Sequence, residues 1–139
     1  MNANTFFPLA TIALLAAGVA HQAFSAADIE QNYQGIRYAC AGVSQESRDD
    51  PRWSSYPVKL VFAAADGGYL GDVKVKIGDA KGDTVLQAHC LAPWLLVDLA
   101  PGAYKVEAMA RQDDQQSFAL SVDGRHQQEH AARFAKIAN

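Results

Sequence analysis

No Lys, Arg, Asp or Glu occurs between Met1 and Ala26, and beyond that stretch no apolar run reaches 18 residues. A multispanning membrane protein is thereby excluded. The chain also lacks a basic cluster: 12 Lys and Arg stand against 15 Asp and Glu, a net charge of −3. A mildly acidic chain of this kind is not expected to bind nucleic acid. There are two cysteines and no Cys-x-x-Cys, so a thioredoxin-like redox site is not expected. No Gly-x-Ser-x-Gly flags a nucleophile. Asp49-Asp50 and Asp113-Asp114 lack the spaced oxygen ligands and the glycine of a calcium loop. Gly67-Gly68 precedes no helix that would cradle a phosphate. These absences argue against an enzyme, and no catalytic residue, cofactor or metal ligand is assigned.

What is there reads as one small exported domain. The chain has 139 residues, half of them hydrophobic and 19% charged, a globular composition. Phe6 to Ala20 reads FFPLATIALLAAGVA; His21 and Gln22 end the run, and Ala23-Phe24-Ser25-Ala26 offers small residues for cleavage. Residues 1–26 are therefore read as a secretory signal peptide, though one without a basic n-region, and 27–139 as the mature domain. The run falls short of the roughly 20 residues a span needs, so no stable membrane insertion is expected after cleavage. The expected destination is the periplasm or the exterior. Both cysteines, Cys40 and Cys90, lie in the exported part. An oxidising compartment favours a disulfide between them. Two buried free thiols, or a metal-binding thiol beside His89, are the alternatives. A bond closing a loop of about 50 residues is worth roughly 4 kcal/mol on the chain-entropy account.

From Ala27 onward the pattern is that of short strands. Ile36 to Ala41 is β-rich. Gly42 to Pro57 is irregular, with turn formers at Asp49-Asp50-Pro51 and Ser54 to Pro57 and room for a helical turn near Gln45 to Asp50. Val58 to Ala64 reads as a strand. Val73, Val75 and Ile77 alternate with Lys74 and Lys76, the period of a half-buried strand. Asp79 to Gly82 makes a hairpin turn and Thr84 to His89 pairs back. Trp94 to Leu99 is another apolar strand, and Pro101-Gly102 suits the centre of a turn, with Pro first and Gly second. Tyr104, Val106 and Ala108 alternate with Lys105 and Glu107, and Ser117 to Val122 follows a polar turn. Gln127 to Ile137 closes the chain. Its alanines favour helix, while a sandwich needs an edge there, and we read it as a strand. Seven or eight such strands, with turns every 8–12 residues, predict an all-β fold, an antiparallel β-sandwich.

Gly71 to Val85, with its strand, turn and returning strand, is similar to the hairpin of carboxypeptidase regulatory-like domains. Pro93 to Val106 resembles the Leu-x-Pro-Gly-x-Tyr-x-Val element of the same group. Tyr38 and Lys59-Leu60-Val61-Phe62-Ala63 match small exported proteobacterial proteins built as one such domain. The resemblance covers roughly residues 36–125. It implies a transthyretin-like, or prealbumin-like, sandwich and a non-catalytic role. The Cys pair and the Ala-rich C-terminus depart from that pattern. Transthyretin-like hydroxyisourate hydrolases end in a Tyr-Arg-Gly-Ser tail. This chain ends Phe134 to Asn139 without one, so that activity is not expected.

The expectation is an exported module with a binding or structural role in the cell envelope, its partner an unidentified protein or envelope component. Arg52, Trp53 and Tyr56, in the long loop, are the candidate binding residues, because aromatics with an Arg are favoured at interfaces. The alternative for Trp53 is that it covers one end of the core. Pro101, Gly102 and Tyr104 form a structural turn, in which Tyr104 buries its ring and bonds a backbone group. One alternative is a metal-handling periplasmic protein using His126 and His130, with His89 as a further candidate ligand. On a helix those two would share a face, but on a strand they would sit about 13 Å apart. The other alternative is a hydrolase with an unrecognised site.

Overall fold

Alternation of apolar and polar side chains sets which way each strand faces. The computed structural model describes residues 24–25, 27–135 and 137. The signal peptide expected over residues 1–26 lies outside them, apart from Phe24 and Ser25. The strands are β1 (Phe24–Ser25), β2 (Gln31–Tyr33), β3 (Ile36–Ala41), β4 (Val58–Ala64), β5 (Val73–Asp79), β6 (Thr84–Cys90), β7 (Trp94–Val97), β8 (Gly102–Met109), β9 (Gln115–Val122) and β10 (Gln128–Phe134). One short helix, α1 (Gln45–Arg48), and a 3-10 turn over Pro51–Ser55 lie between β3 and β4.

The strands form two five-stranded sheets, ordered β1-β6-β5-β8-β9 and β10-β4-β7-β3-β2. The fold is an all-β sandwich. In β5 the inward side chains are Val73, Val75 and Ile77, all buried, and the outward ones are Lys74 and Lys76. In β4 and β3 the inward ones are Val58, Leu60 and Phe62, and Tyr38 and Cys40. The β5–β6 register slips at Ile77/Gly78, which lets Val85 join Leu86 against the core.

Strand β7 is buried throughout, and the reason is a second apolar layer. Leu95 and Val97 face the core between the sheets. Trp94 and Leu96 face the other way, into a cluster with Ala39, Ala41, Trp53 and Tyr56. The segment from Gly42 to Pro57 thus folds back over the outward face of the second sheet. A sheet buried on both faces reads as a continuous apolar run, which is what Trp94-Leu95-Leu96-Val97 is.

The last segment is a strand, but its pairing differs from the expected all-antiparallel arrangement. Strand β10 runs parallel to β4 over seven register positions, Gln128 with Val58 through Phe134 with Ala64. Strands β9 and β10 belong to different sheets, so the turn after Val122 crosses the sandwich instead of closing a hairpin. The intervening β5 to β9 supply the long connection that a parallel pair requires. Burial of Ala132 and Phe134 holds β10 as a strand against the helical preference of its alanines. At this margin Phe118 of β9 stacks on His130 of β10, with ring centroids 3.7 Å apart and planes 11° apart.

Cys40 and Cys90 are joined in a disulfide between the sheets, with Cα atoms 5.5 Å apart. The Pro101-Gly102 turn holds Gly102 at φ +156°. The Tyr104 hydroxyl donates to the Ala100 carbonyl at 2.6 Å and closes the turn. Its pKa is raised, mainly by burial and further by Asp79.

Candidate functional site

Strands β3, β4 and β6 all finish at one end of the sandwich. The registers place Ala41 and Val61 opposite Trp94, and Cys90 opposite Val73. Three loops leave from this end: the start of 42–57, the β4–β5 loop 65–72, and the β6–β7 loop 91–93. Each offers one large apolar side chain to solvent. Val43 is 63% exposed, Tyr69 54% and Leu91 50%.

The loops are braced against one another. Arg48, at the end of α1, donates to the carbonyls of Gly42 and Val43 at 2.9 and 3.3 Å. Its guanidinium also lies 5.4 Å from the Tyr69 ring centroid, which ties the first loop to the second. Gly71 packs so closely on the third loop that a Cβ there would run into the carbonyl oxygen of Leu91. Asp72 ends the second loop, and its Oδ1 lies 2.5 Å from Nε2 of His89 on β6. Directly behind, the disulfide links Cys40, two residues before Gly42, to Cys90, the residue before Leu91. The three exposed side chains therefore stand on a scaffold fixed before any partner arrives, which lowers the ordering cost of binding.

The long loop places its aromatic residues elsewhere. Trp53 and Tyr56 are buried at 3% and 1% exposure, against the outward face of the second sheet. The Trp53 indole N–H donates to the Ser47 carbonyl at 2.7 Å. The Tyr56 hydroxyl donates to Glu30 at 2.7 Å, and burial followed by that bond raises its pKa. Of the three, only Arg52 is exposed. It lies over Trp53 at 4.5 Å, and its guanidinium, at 2.7 Å, and its backbone amide both donate to the Asp50 carboxylate and lower the Asp50 pKa. Ser47 bridges the Gly42 amide and the Asp28 carboxylate, and Arg52 reaches the Asp28 carbonyl, so the turn before β2 and the cover are one unit. The trio thus ties the cover down, and the loop's exposed apolar residue is Val43.

Trp94 lies under the same cover. Lys59 Nζ is 3.6 Å from its ring centroid, and a Cβ on Gly42 would come within 2.6 Å of the ring. Its indole nitrogen is buried with no hydrogen-bond partner among the described residues.

His126 and His130 do not converge. His126 lies 3.4 Å from Asp123 in the turn before β10, and His130 is stacked on Phe118. Among the described residues no group of three or more His, Cys, Asp or Glu is placed to hold a metal ion. No helix among them is long and apolar enough to cross a membrane.

The sequence did not single out the three exposed residues. Val43 follows a Gly in the irregular segment, Tyr69 follows Gly67-Gly68, and Leu91 sits between a strand and Pro93. Leu70 and Leu99, which also stand in loops, are buried in the core, so a place in a loop does not by itself mark a side chain as exposed.

No protein-family model matches this chain, and no curated protein is significantly similar to it in sequence.

Proposed function

We propose that the protein is an exported, non-catalytic binding module of the cell envelope, of the carboxypeptidase regulatory-like type, that holds a protein partner at its three-loop tip. The observation that carries this reading is the exposure of Val43, Tyr69 and Leu91 from three different loops at one end of the sandwich, above an inter-sheet disulfide. Recognition loops on a rigid sandwich scaffold are a recurrent solution, and a Tyr among apolar neighbours is a typical anchor. The disulfide supports an oxidising compartment, the periplasm or the exterior. The resemblance of the Gly71–Val85 and Pro93–Val106 elements supports the family.

The reading is tested by purifying the protein from the envelope of its own host with its bound partner. Alongside it, a Tyr69→Ser/Leu91→Ser double variant is purified in the same way. Both side chains are half or more exposed, and losing the Arg48 contact to Tyr69 is expected to cost the variant no more than about 1 kcal/mol, which thermal melts check. The expected result is a partner in fixed ratio with the parent and at least a tenfold loss in the variant. Equal recovery with both proteins, or no partner with either, contradicts the reading.

A further inference from the structure

The margins of the two sheets are closed in different ways. In the second sheet, β2 is only three residues long and β10 carries Glu129 and Arg133. A short edge and a charged edge both discourage pairing with another chain. In the first sheet β9 is uncharged, but it shares its margin with β10, where Phe118 stacks on His130. The remaining margin belongs to β6. Between Thr84 and Cys90 there is no Lys, Arg, Asp, Glu or Pro to guard it. Among the described residues, another strand pairs with its outer side at its last two residues alone. That strand is β1, which runs parallel to it with Phe24 opposite His89 and Ser25 opposite Cys90.

This edge is held in place. The disulfide ties Cys90 to Cys40, and His89 is bonded to Asp72, so its upper end is fixed before any strand arrives. On the β5 side the register slips at Ile77/Gly78, and a bulge ends regular pairing below Leu86. Leu86–Cys90 is the stretch left fit for pairing. The margin beneath the disulfide is also incompletely closed. Strands β3 and β6 both run toward the tip, so with Cys40 joined to Cys90, Ile36 lies about level with Leu86. Ile36, its register partner Tyr33, and Val85 all pack against the core but are only partly buried. A strand added to β6 would cover them.

Phe24 and Ser25 show that the seat takes a strand, and they lie in the segment that export removes. Cleavage after Ser25 or Ala26 takes β1 away and leaves the outer side of Leu86–Cys90 without it. We infer that maturation uncovers this edge and that the protein partner adds an extended, uncharged segment to it, parallel to β6, in the seat of Phe24–Ser25. Main-chain bonds supply the affinity, and apolar side chains at alternate positions of the segment cover Ile36, Tyr33 and Val85. A charged segment finds no Lys, Arg, Asp or Glu on β6 to pair with. Running parallel to β6, the segment leads directly to Leu91 and the tip. The inference rests on the proposed export and on the tip as the partner's site, and it names strand addition as the way that partner binds. Before cleavage β1 holds the seat, so the uncleaved chain binds the partner weakly.

The test has two arms. In the first, the exported, oxidised and isotopically labelled protein is titrated by NMR with a synthetic peptide of residues 19–26, which carries the strand seen on β6. The expected result is shifts and slowed amide exchange confined to residues 33–36 and 84–91. An Ala23→Pro/Phe24→Pro peptide, which lacks the amides for pairing, is expected to bind at least tenfold more weakly. In the second arm a photoreactive residue replaces Gln87, an exposed position on β6, in the native host. It is expected to give the same protein adduct as a photoreactive residue at Leu91. The yield is expected to fall at least fivefold when a replacement leader, cut before Phe24, leaves Phe24–Ser25 in place. Absence of peptide shifts, shifts centred on β9, or equal binding of the proline peptide overturns the inference. So does an exported protein whose mass retains Phe24–Ser25. An adduct at Leu91 with none at Gln87 overturns strand addition and leaves the tip reading standing, whereas no adduct at either position overturns both.

Discussion

Cys40 and Cys90 join β3 to β6 across the two sheets, each at the strand end from which a tip loop departs. The bond therefore both staples the sandwich and fixes the spacing between Gly42-Val43 and Leu91. Its removal acts on the unfolded state, which gains the freedom of a 50-residue separation.

Replacing Cys40 or Cys90 by Ser is expected to cost about 4 kcal/mol, a fall in Tm of at least about 10 °C for a domain of this size. Thermal melts of oxidised protein followed by circular dichroism check this. Single variants that melt within a degree or two of the parent would show that the bond contributes little.

Gly71 is the contact between two tip loops, and backbone, not a flexible side chain, stands in the way of a Cβ. Gly71→Ala is expected to destabilise by about 1–3 kcal/mol, the usual range for overpacking. Urea denaturation measures it, and amide shifts in 69–72 and 89–93 locate the displacement. A variant as stable as the parent, with unmoved shifts at Leu91, would contradict the close approach.

Two glycines on the same sheet make opposite predictions. Gly102 sits at φ +156°, a region that β-branched residues avoid, so Gly102→Val is expected to cost at least about 1 kcal/mol. Gly78 has room and no positive φ, so Gly78→Ala is expected to change stability by no more than about 0.5 kcal/mol. Paired denaturation curves decide, and reversal of the order would refute both assignments.

Asp123 caps the turn that carries the chain from β9 to β10. The amides of His126 and Arg125 donate to its carboxylate at 3.0 and 2.7 Å and lower its pKa to about 2, from 3.8. A depressed folded-state pKa stabilises the fold above the unfolded value, and that contribution is lost as pH falls toward about 2. Carboxyl-carbon NMR is expected to show Asp123 titrating near 2. The Arg125 and His126 amide shifts should follow the same curve. A midpoint near 3.8 would mean that the cap does not form.

The strand pattern was legible because it rests on local chemistry. Val73, Val75 and Ile77 against Lys74 and Lys76 leave one choice of inward face, and Asp79 to Gly82 can only turn. The disulfide followed from compartment and count. The parallel seat of β10 was not legible, because the choice of β4 as neighbour is made by the sandwich as a whole and no residue in Gln128–Phe134 encodes it. Nor was the direction of the long loop. Arg52, Trp53 and Tyr56 carry the composition of an interface, yet the small side chains of Ala39 and Ala41 leave space on the sheet for Trp53 and Tyr56 to fill. Val43, Tyr69 and Leu91 are among the exposed large apolar residues, with Ile29 and Met109, and their place at one end depends on three strand ends meeting in space.

The central claim is that this tip is the partner-binding surface, and site-specific photo-cross-linking in the native host tests it most directly. A photoreactive residue is placed in turn at Val43, Tyr69 and Leu91, and as a control at Ser121, an exposed position on the opposite end of β9. The account predicts one protein adduct shared by the three tip positions and absent at Ser121. Adducts of equal yield at Ser121, or none from any tip position, would contradict it.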